Sequence, residues 1–342
     1  MTRERKENSE WLAGYIYYGE PLDKVIVEAV IPFVEQVMAY DWIDSFFFIR
    51  YWERGPHIRL RFLGDPEKLE SELKPAYLKH FGAYFEAHPS ERKEPEYAPD
   101  TPEDLKWFPN NSVQFITYEP ETERYGGEHC LVISEEHFMF SSQSIFDLMT
   151  ESAEDWGYDR AMGAAIQMHL SMAFGLGMDD REMVGFFDEY YNRWLHRAYY
   201  FFEPNITKEE LEKRKESTLE AFDQTYEAQR ESLVSFFEQI LELLKEGGFE
   251  DTWLETWVDG AGRTRAKLDD LMDRGLYDTT KFYEMKEEGG FSIDQQKRWA
   301  LFDSYVHMTN NRVGILNRDE AYLAFIISKT LKLYKKDQEV HG

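Results

Sequence analysis

The stretch SFFFIRYWERGPHIRLRFL, residues 45–63, decides the architecture of the first half of the chain. Its first run, Ser45–Tyr51, is almost entirely aromatic and aliphatic, and its second run, His57–Leu63, alternates between polar and apolar side chains. Both runs have the length and composition of strands, and the Glu-Arg-Gly-Pro sequence between them favours a turn, so we predict a β-hairpin. Because successive side chains of a strand point to opposite faces, three polar residues of the second run should share one face of the sheet: His57, Arg59 and Arg61.

Further elements on either side of the hairpin add strands and helices. Trp11–Tyr18 and Val113–Tyr118 have the composition of strands, whereas Leu22–Ala39 has apolar residues at helical spacing. A second helix is predicted for residues 65–85, where an Asp-Pro pair precedes the apolar positions. The segment Pro95–Pro109 is rich in proline and acidic residues and shows no period, which predicts a loop.

The second half of the chain is predicted to be mostly helical. Thr207 and Glu210 have the spacing of a capping box, ahead of one long helix that should end near Gly247. The last two helices are predicted over Asp303–Asn311 and Asp319–Leu333.

The order of these elements predicts an α+β fold, with a mixed or antiparallel sheet and packed helices in the first half and a mostly helical second half. The length of 342 residues lies at the upper end of one large domain or the lower end of two. Residues 1–10 and 336–342 are expected to be disordered.

The composition argues against several classes of protein. The 66 acidic and 39 basic residues give a formal net charge of −27, so we expect no direct binding of nucleic acid or of an anionic membrane. The N-terminal residues lack the apolar region of a signal peptide, and no apolar stretch reaches the ~18 residues of a transmembrane helix. The single cysteine, Cys130, excludes an internal disulfide and fits a reducing cytoplasm, where we expect the protein to be located.

Arg59 and Arg61 create a local positive field in an acidic chain. Guanidinium groups match carboxylates through two parallel hydrogen bonds, so this face of the predicted strand suits an anionic group. The alternative is that both arginines lie on an exposed sheet face and pair with surface acids.

A second candidate site is the sequence YEPETERYGG, residues 118–127, at the end of a predicted strand. Its two terminal glycines allow a tight turn or a close approach of the backbone to a ligand. Arg124 is the cation of this sequence, and the alternative is that its three neighbouring glutamates neutralise it.

A third candidate is the helical stretch SYVHMTNNR, residues 304–312. In a helix His307 and Asn311 lie four residues apart on one face, where the amide would be able to orient the imidazole. The alternative is a histidine with a purely structural role.

Together these three stretches resemble the C-terminal domain of lantibiotic dehydratases, also called the SpaB C-terminal or thiopeptide-type bacteriocin biosynthesis domain. Residues 46–61 are very similar to the opening motif of that family, residues 118–127 look like its central motif, and residues 307–314 look like its terminal motif. The three matches occur in family order and span about residues 11–333, so the resemblance implies a single domain over residues 11–335.

The resemblance implies a function. In full-length members an N-terminal domain glutamylates Ser or Thr of a precursor peptide with glutamyl-tRNA, and the C-terminal domain then expels glutamate to leave dehydroalanine or dehydrobutyrine. Nothing in this sequence resembles the glutamylation domain. We therefore expect the eliminating half of a split system, with two partners: a precursor peptide that carries a leader, and a separate glutamylation protein. A homodimer is a further expectation.

The resemblance also implies roles for individual residues. The family's eliminating residues look to correspond to Arg59, Arg61, Arg124 and His307, with the arginines gripping glutamate carboxylates and His307 acting as general acid or base. We expect these four to converge on one cleft. Six further residues are candidates for substrate binding: His57, Tyr51, Tyr118, Tyr125, Asn311 and Arg312.

Two other functions are compatible with the resemblance. One is thiopeptide pyridine synthase, which joins two dehydroalanines by a formal [4+2] cycloaddition and releases the leader; such cyclases tend to lose the arginine set that elimination needs. The other is a non-catalytic partner that binds the precursor. No cofactor or metal is expected, because phosphate loops and metal motifs are absent and the grouping of His129, Cys130 and His137 is best explained by chance.

Overall fold

The computed structural model describes residue 6 and the ranges 8–19, 21–152, 155–202, 205–247, 252–277 and 290–341. Contacts divide the chain into two compact units. The sheet unit comprises Met1–Glu121 with Ser134–Trp156, and the helical unit comprises Thr122–Ile133 with Gly157–Gly342. A single domain over residues 11–335 stays a prediction.

Among its described residues the sheet unit contains four antiparallel strands in the order β2-β3-β1-β4. The strands are β1 Glu10–Tyr17, β2 Ser45–Tyr51, β3 His57–Gly64 and β4 Ser112–Phe115. The hairpin predicted from residues 45–63 is confirmed, with Tyr51 opposite His57 and Phe47 opposite Arg61. Strand β4 ends earlier than predicted: Ile116 still donates its backbone N–H to the Ala13 carbonyl oxygen at 3.2 Å, and beyond it the Tyr118 ring packs edge-on against Trp11 and Phe47.

One face of the sheet packs against helices. Helix α1 covers residues 22–39 and helix α2 covers residues 66–87, and each contains one π-helical turn. The ring of Phe33 on α1 contacts those of Phe62 on β3 and Tyr77 on α2, at centroid distances of 6.0 and 5.3 Å. Gly14 permits the close approach of α2, because a Cβ atom there would lie 2.5 Å from the Tyr77 ring. This apolar packing leaves the polar residues of β3 on the opposite face.

The predicted loop over residues 95–109 contains only one 3₁₀ turn, Glu103–Leu105. It is fixed to the β2–β3 turn through Arg54, whose Nε donates to the Lys106 carbonyl oxygen at 2.8 Å. The guanidinium carbon of Arg54 lies 3.8 Å from the Phe108 ring centroid. The loop therefore borders the same end of the sheet as His57.

Helix α3, Glu128–Glu151, is followed by seven further helices in the described part of the chain. These are α4 Tyr158–Gly175, α5 Asp180–Phe202, α6 Lys208–Glu227, α7 Arg230–Glu246, α8 Thr252–Asp273, α9 Ile293–Val313 and α10 Asn317–His341. The predicted α+β class, with a largely helical second half, is confirmed. None of the described helices is long and apolar enough to span a membrane.

The single long helix predicted after Thr207 is wrong, since the chain forms α6 and α7 with a break at residues 228–229. Thr207 does cap α6, accepting a hydrogen bond from the Glu210 backbone. The break lets the two helices bury different faces: Tyr226 of α6 shares a hydrogen bond with Thr330, whereas α7 buries an apolar stripe.

The last two helices are longer than predicted. Helix α9 begins ten residues earlier, at a capping box formed by Ser292 and Gln295, and ends at Gly314, whose φ of 98° is in the left-handed region. Helix α10 begins at Asn317 and continues to His341, through most of the predicted C-terminal tail.

Candidate active site

Three polar residues of β3 lie on the sheet face that carries the tyrosines of β1. In the strand register Arg59 is opposite Tyr15 and His57 is opposite Tyr17. On the other side of β3, Tyr51 is opposite His57. The alternation along β3 therefore places these three polar residues on one face of the sheet, as predicted. It also brings the two arginines next to aromatic rings.

Arg59 is held by aromatic rings, a histidine and one acid. Its guanidinium carbon lies 3.5 Å from the Tyr51 ring centroid and 4.8 Å from that of Tyr15. Its Nη2 pairs at 3.1 Å with Glu53, whose side chain is 67% exposed. Arg59 therefore does pair with a surface acid, which was the alternative interpretation. Because the pair is exposed, water weakens much of the attraction between the two charges.

His57 is completely buried and stacks against the rings of Tyr15 and Tyr17. Burial lowers its pKa to about 4, and the charges of Arg59 and Arg61 act in the same direction. The ring is therefore neutral near pH 7, with its Nδ1 donating to the Gly55 carbonyl oxygen at 2.8 Å. The Nε2 lone pair then accepts from Arg59 Nε at 3.1 Å, so His57 orients Arg59.

Arg61 is a buried cation, only 8% exposed, lying between aromatic rings. Its guanidinium carbon is 4.4 Å from the Tyr118 ring centroid and 5.1 Å from that of Phe47. Across the described ranges it makes no ion pair, and its buried Nε has no hydrogen-bond partner. A desolvated cation without an anion is costly, so this position favours the arrival of an anionic group.

Arg124 and Tyr125 belong to the helical unit. The guanidinium carbon of Arg124 lies 5.7 Å from the Tyr125 ring centroid, and its Nε donates to Ser304 Oγ at 3.4 Å. The two glycines that follow have φ values of 82° and 93°, which explains why glycine is needed there. At Gly126 a Cβ atom would also lie 2.6 Å from the Tyr277 ring.

The contact with Ser304 brings Arg124 close to His307. Residues three apart on a helix lie on the same face, with Cβ atoms about 5–6 Å apart. Ser304 and His307 are both on α9, so Arg124 contacts the turn next to the histidine.

His307 is oriented by a carboxylate from the next helix. Its Nδ1 lies 2.9 Å from Oε1 of Glu320 on α10, and its ring packs on that of Trp194 at a centroid distance of 4.9 Å. Its side chain is 21% exposed, whereas that of Glu320 is 1% exposed. An acid–imidazole pair of this kind can take up and release a proton.

His307 shares its carboxylate partner with the amide of Asn310, whose Nδ2 donates to Oε2 of Glu320 at 3.1 Å. Orientation of the imidazole by Asn311 stays a prediction. Asn311 is half-buried, and Arg312 is completely buried, with Nη1 facing the Met308 carbonyl oxygen at 3.5 Å. A substrate-binding role for Asn311 and Arg312 stays a prediction.

Each unit thus assembles part of the predicted set. The sheet unit brings together His57, Arg59, Tyr51, Arg61 and Tyr118, and the helical unit brings together Arg124, Tyr125 and His307. Convergence of all four predicted catalytic residues on one cleft stays a prediction. No group of three or more His, Cys, Asp or Glu side chains in the described ranges is arranged to hold a metal ion.

Two contributors were missed from the sequence. Glu320 precedes Ala324 and Ile327 at helical spacing, and all three are buried. An acid that continues an apolar stripe of a helix indicates a buried carboxylate, and that pattern is visible in the sequence. Tyr15 alternates with Tyr17 along β1, and that alternation would have placed both on one face of the sheet.

Lowering the pH should destabilise the fold through His57 and His169. Burial lowers the pKa of both to about 4, against 6.5 for an unperturbed histidine. Between these values the unfolded chain binds more protons, so this stability is fully present above pH 6.5 and is lost as the pH falls toward 4. Each histidine contributes up to ~1.4 kcal/mol per pH unit. Urea denaturation between pH 7 and 5 should show a shallower pH dependence for His169→Gln than for the wild type; equal slopes would contradict this assignment.

The family model for the lantibiotic biosynthesis dehydratase C-term matches residues 11–331, and the chain belongs to that family. The family predicted from the sequence is thereby confirmed. No curated protein matches the chain.

The solved structures that share the fold include three related biosynthetic proteins. Pyridine synthase TbtD from thiomuracin biosynthesis has a TM-score of 0.69 and 18% identity, and the match covers 94% of this chain and 97% of that one. TsrL has a TM-score of 0.58 and 17% identity, with 96% of each chain covered. The tRNA-dependent lantibiotic dehydratase MibB from Microbispora sp. 107891 has a TM-score of 0.58 and 16% identity, over 99% of this chain but 29% of MibB.

Proposed function

We propose that this chain eliminates glutamate from glutamylated Ser or Thr residues of a ribosomally made precursor peptide, leaving dehydroalanine or dehydrobutyrine. The observation that carries the proposal is Arg61, a buried cation on aromatic rings with no anionic partner in the described ranges. A glutamyl ester carries one free carboxylate, and the ester itself becomes a second carboxylate as glutamate leaves; a guanidinium group can grip a carboxylate through two hydrogen bonds.

The reaction needs a base, groups that stabilise the developing negative charge, and help for the departure of the leaving group. A base takes the proton from Cα, the C–H electron pair forms the Cα=Cβ double bond, and the Cβ–O bond breaks as glutamate leaves. His307 is the acid–base group. Arg59, Arg61 and Arg124 bind carboxylates and offset the negative charge that develops on the amide and on the leaving group.

His57 has a supporting role in this account. Because it is neutral and accepts from Arg59 Nε, it fixes the direction of the Arg59 guanidinium group without competing for the anion. Tyr51 and Tyr118 hold the two arginines from their ring faces, and such cation–π contacts gain strength where water is excluded.

The partners follow from the same chemistry. The substrate is a precursor peptide with its leader, and a separate protein supplies the glutamyl ester. A net charge of −27 opposes binding of tRNA to this chain, so the glutamylation step belongs to that separate protein.

Pyridine synthesis is the second candidate function. It is favoured by the match to TbtD, which is a pyridine synthase and is covered over nearly its full length. Elimination is preferred because the three arginines are retained, and a [4+2] cycloaddition of two dehydroalanines has no carboxylate leaving group for them to bind.

A direct assay uses the purified chain and a peptide that carries glutamyl-Ser or glutamyl-Thr esters behind its leader. Free glutamate and a dehydrated peptide should appear without tRNA or ATP. A leader-bearing peptide whose esters remain intact under these conditions would contradict the proposed function.

A further inference from the structure

The Glu320 carboxylate is a buried acceptor at which three donors meet. His307 Nδ1 lies 2.9 Å from Oε1, Tyr190 donates its hydroxyl to Oε2 at 2.8 Å, and Asn310 Nδ2 donates to Oε2 at 3.1 Å. A carboxylate offers only acceptors, so all three contacts are satisfied when each neighbour supplies a hydrogen atom.

A buried histidine fixes the direction of the Asn310 amide. Asn310 Oδ1 lies 2.7 Å from Nε2 of His169, which burial keeps neutral by lowering its pKa to about 4. A carboxylate only accepts, so Asn310 presents its NH₂ group to Glu320 and its Oδ1 to His169. The single N–H of the neutral His169 ring is then at Nε2, where it donates to Oδ1 and holds the amide in this direction.

We propose that Glu320 is a positioning residue, which holds His307 as the tautomer with hydrogen on Nδ1 and so makes Nε2 the basic atom of the ring. The use of Nε2 as the base for the Cα proton rests on the proposed function, whereas the tautomer itself does not. After proton transfer the imidazolium lies beside the Glu320 carboxylate, which stabilises its charge.

Glu320→Gln separates this role from simple packing. Tyr190 and Asn310 both donate to the Oε2 position, so the glutamine oxygen is expected there and its NH₂ group should face His307 Nδ1. Two donors cannot face each other, and the ring must move its hydrogen to Nε2. That tautomer has no lone pair at the reacting position, and the analogous change in serine proteases costs about 10⁴-fold in rate.

The test is a ¹⁵N NMR measurement of the imidazole nitrogens in the full chain without substrate, with His307 assigned by comparison with His307→Gln. Wild type should carry hydrogen on Nδ1 and Glu320→Gln should carry it on Nε2. Elimination by Glu320→Gln should fall ~10²–10⁴-fold. As a matched control, Tyr190→Phe removes one donor but keeps the carboxylate, so it should keep the Nδ1–H tautomer and lose less than about tenfold in rate.

Hydrogen on Nε2 in the wild type would overturn the inference by itself, even if Glu320→Gln failed to fold. An unchanged tautomer in a folded Glu320→Gln would overturn it as well, and would leave Glu320 as a packing residue. Because the spectra need no substrate, a wild type that does not eliminate glutamate but shows the Nδ1–H tautomer would contradict the proposed function alone.

Discussion

Replacing Arg61 with methionine should slow glutamate elimination ~10²–10³-fold, the usual effect of removing a preorganised charge partner of a transition state. Methionine is a flexible apolar side chain that can fill the space between Phe47 and Tyr118, so the fold should persist. Peptide affinity should change little, since contacts with the peptide extend well beyond the leaving group. Single-turnover rates with a glutamylated peptide, together with a binding measurement, would check this.

Two further variants control for charge and for packing. Arg61→Lys should recover only part of the rate, because an ammonium group cannot make the two parallel hydrogen bonds of a guanidinium group. Arg50→Met is the matched control: Arg50 is also buried, but it lies on the neighbouring strand and pairs with Asp23 at 2.6 Å. If a folded Arg50→Met lost as much activity as Arg61→Met, the assignment of the leaving-group site would be wrong.

Replacing His307 with alanine should lower the elimination rate by a comparable factor, ~10²–10⁴-fold for the loss of a positioned acid–base group. The effect should appear in kcat rather than in peptide binding, because the ring acts on one proton. The rate of dehydro-residue formation under saturating peptide measures it.

His129→Ala is the matched control for His307. His129 is exposed at the beginning of α3, and we assign it no role in the reaction. Its substitution should leave the rate within about twofold, since surface changes away from a site have small effects. If His307→Ala kept full activity, His307 would have a purely structural role and the acid–base assignment would be wrong.

The sheet was predictable because its signals are local. A period of two along His57–Leu63 fixes which side chains share a face, whatever the rest of the chain does. The same rule assigned Arg59 and Arg61 to one face, and the register of β3 with β1 agrees. What alternation did not reveal is the difference between the two arginines, which depends on Glu53 in the turn and on Tyr118 from a distant segment.

The helical unit was less predictable because its contacts join distant parts of the chain. The break at residues 228–229 has no proline or glycine to mark it and follows from what each helix buries. Helical spacing predicts an amide four residues along the same helix as a partner of His307, whereas the carboxylate beside its Nδ1 belongs to Glu320 on the next helix. Spacing within one helix therefore identified the imidazole but not the group that orients it.

The motifs identified the family because they combine chemistry with order along the chain. Each motif alone had a plausible structural explanation, and Arg59 does pair with an exposed acid. Fold similarity at 16–18% identity does not separate elimination from cyclisation, since TbtD and MibB match the same chain. Only the reaction that the purified chain carries out can distinguish elimination from cyclisation.

The most direct test offers the purified chain two peptides side by side, one with glutamyl-Ser esters and one with dehydroalanines already formed. Mass spectrometry would follow both without tRNA or ATP. Elimination predicts that the first peptide loses glutamate and gains dehydroalanine while the second stays unchanged. An intact ester in the first peptide, together with a pyridine macrocycle and released leader from the second, would contradict the account.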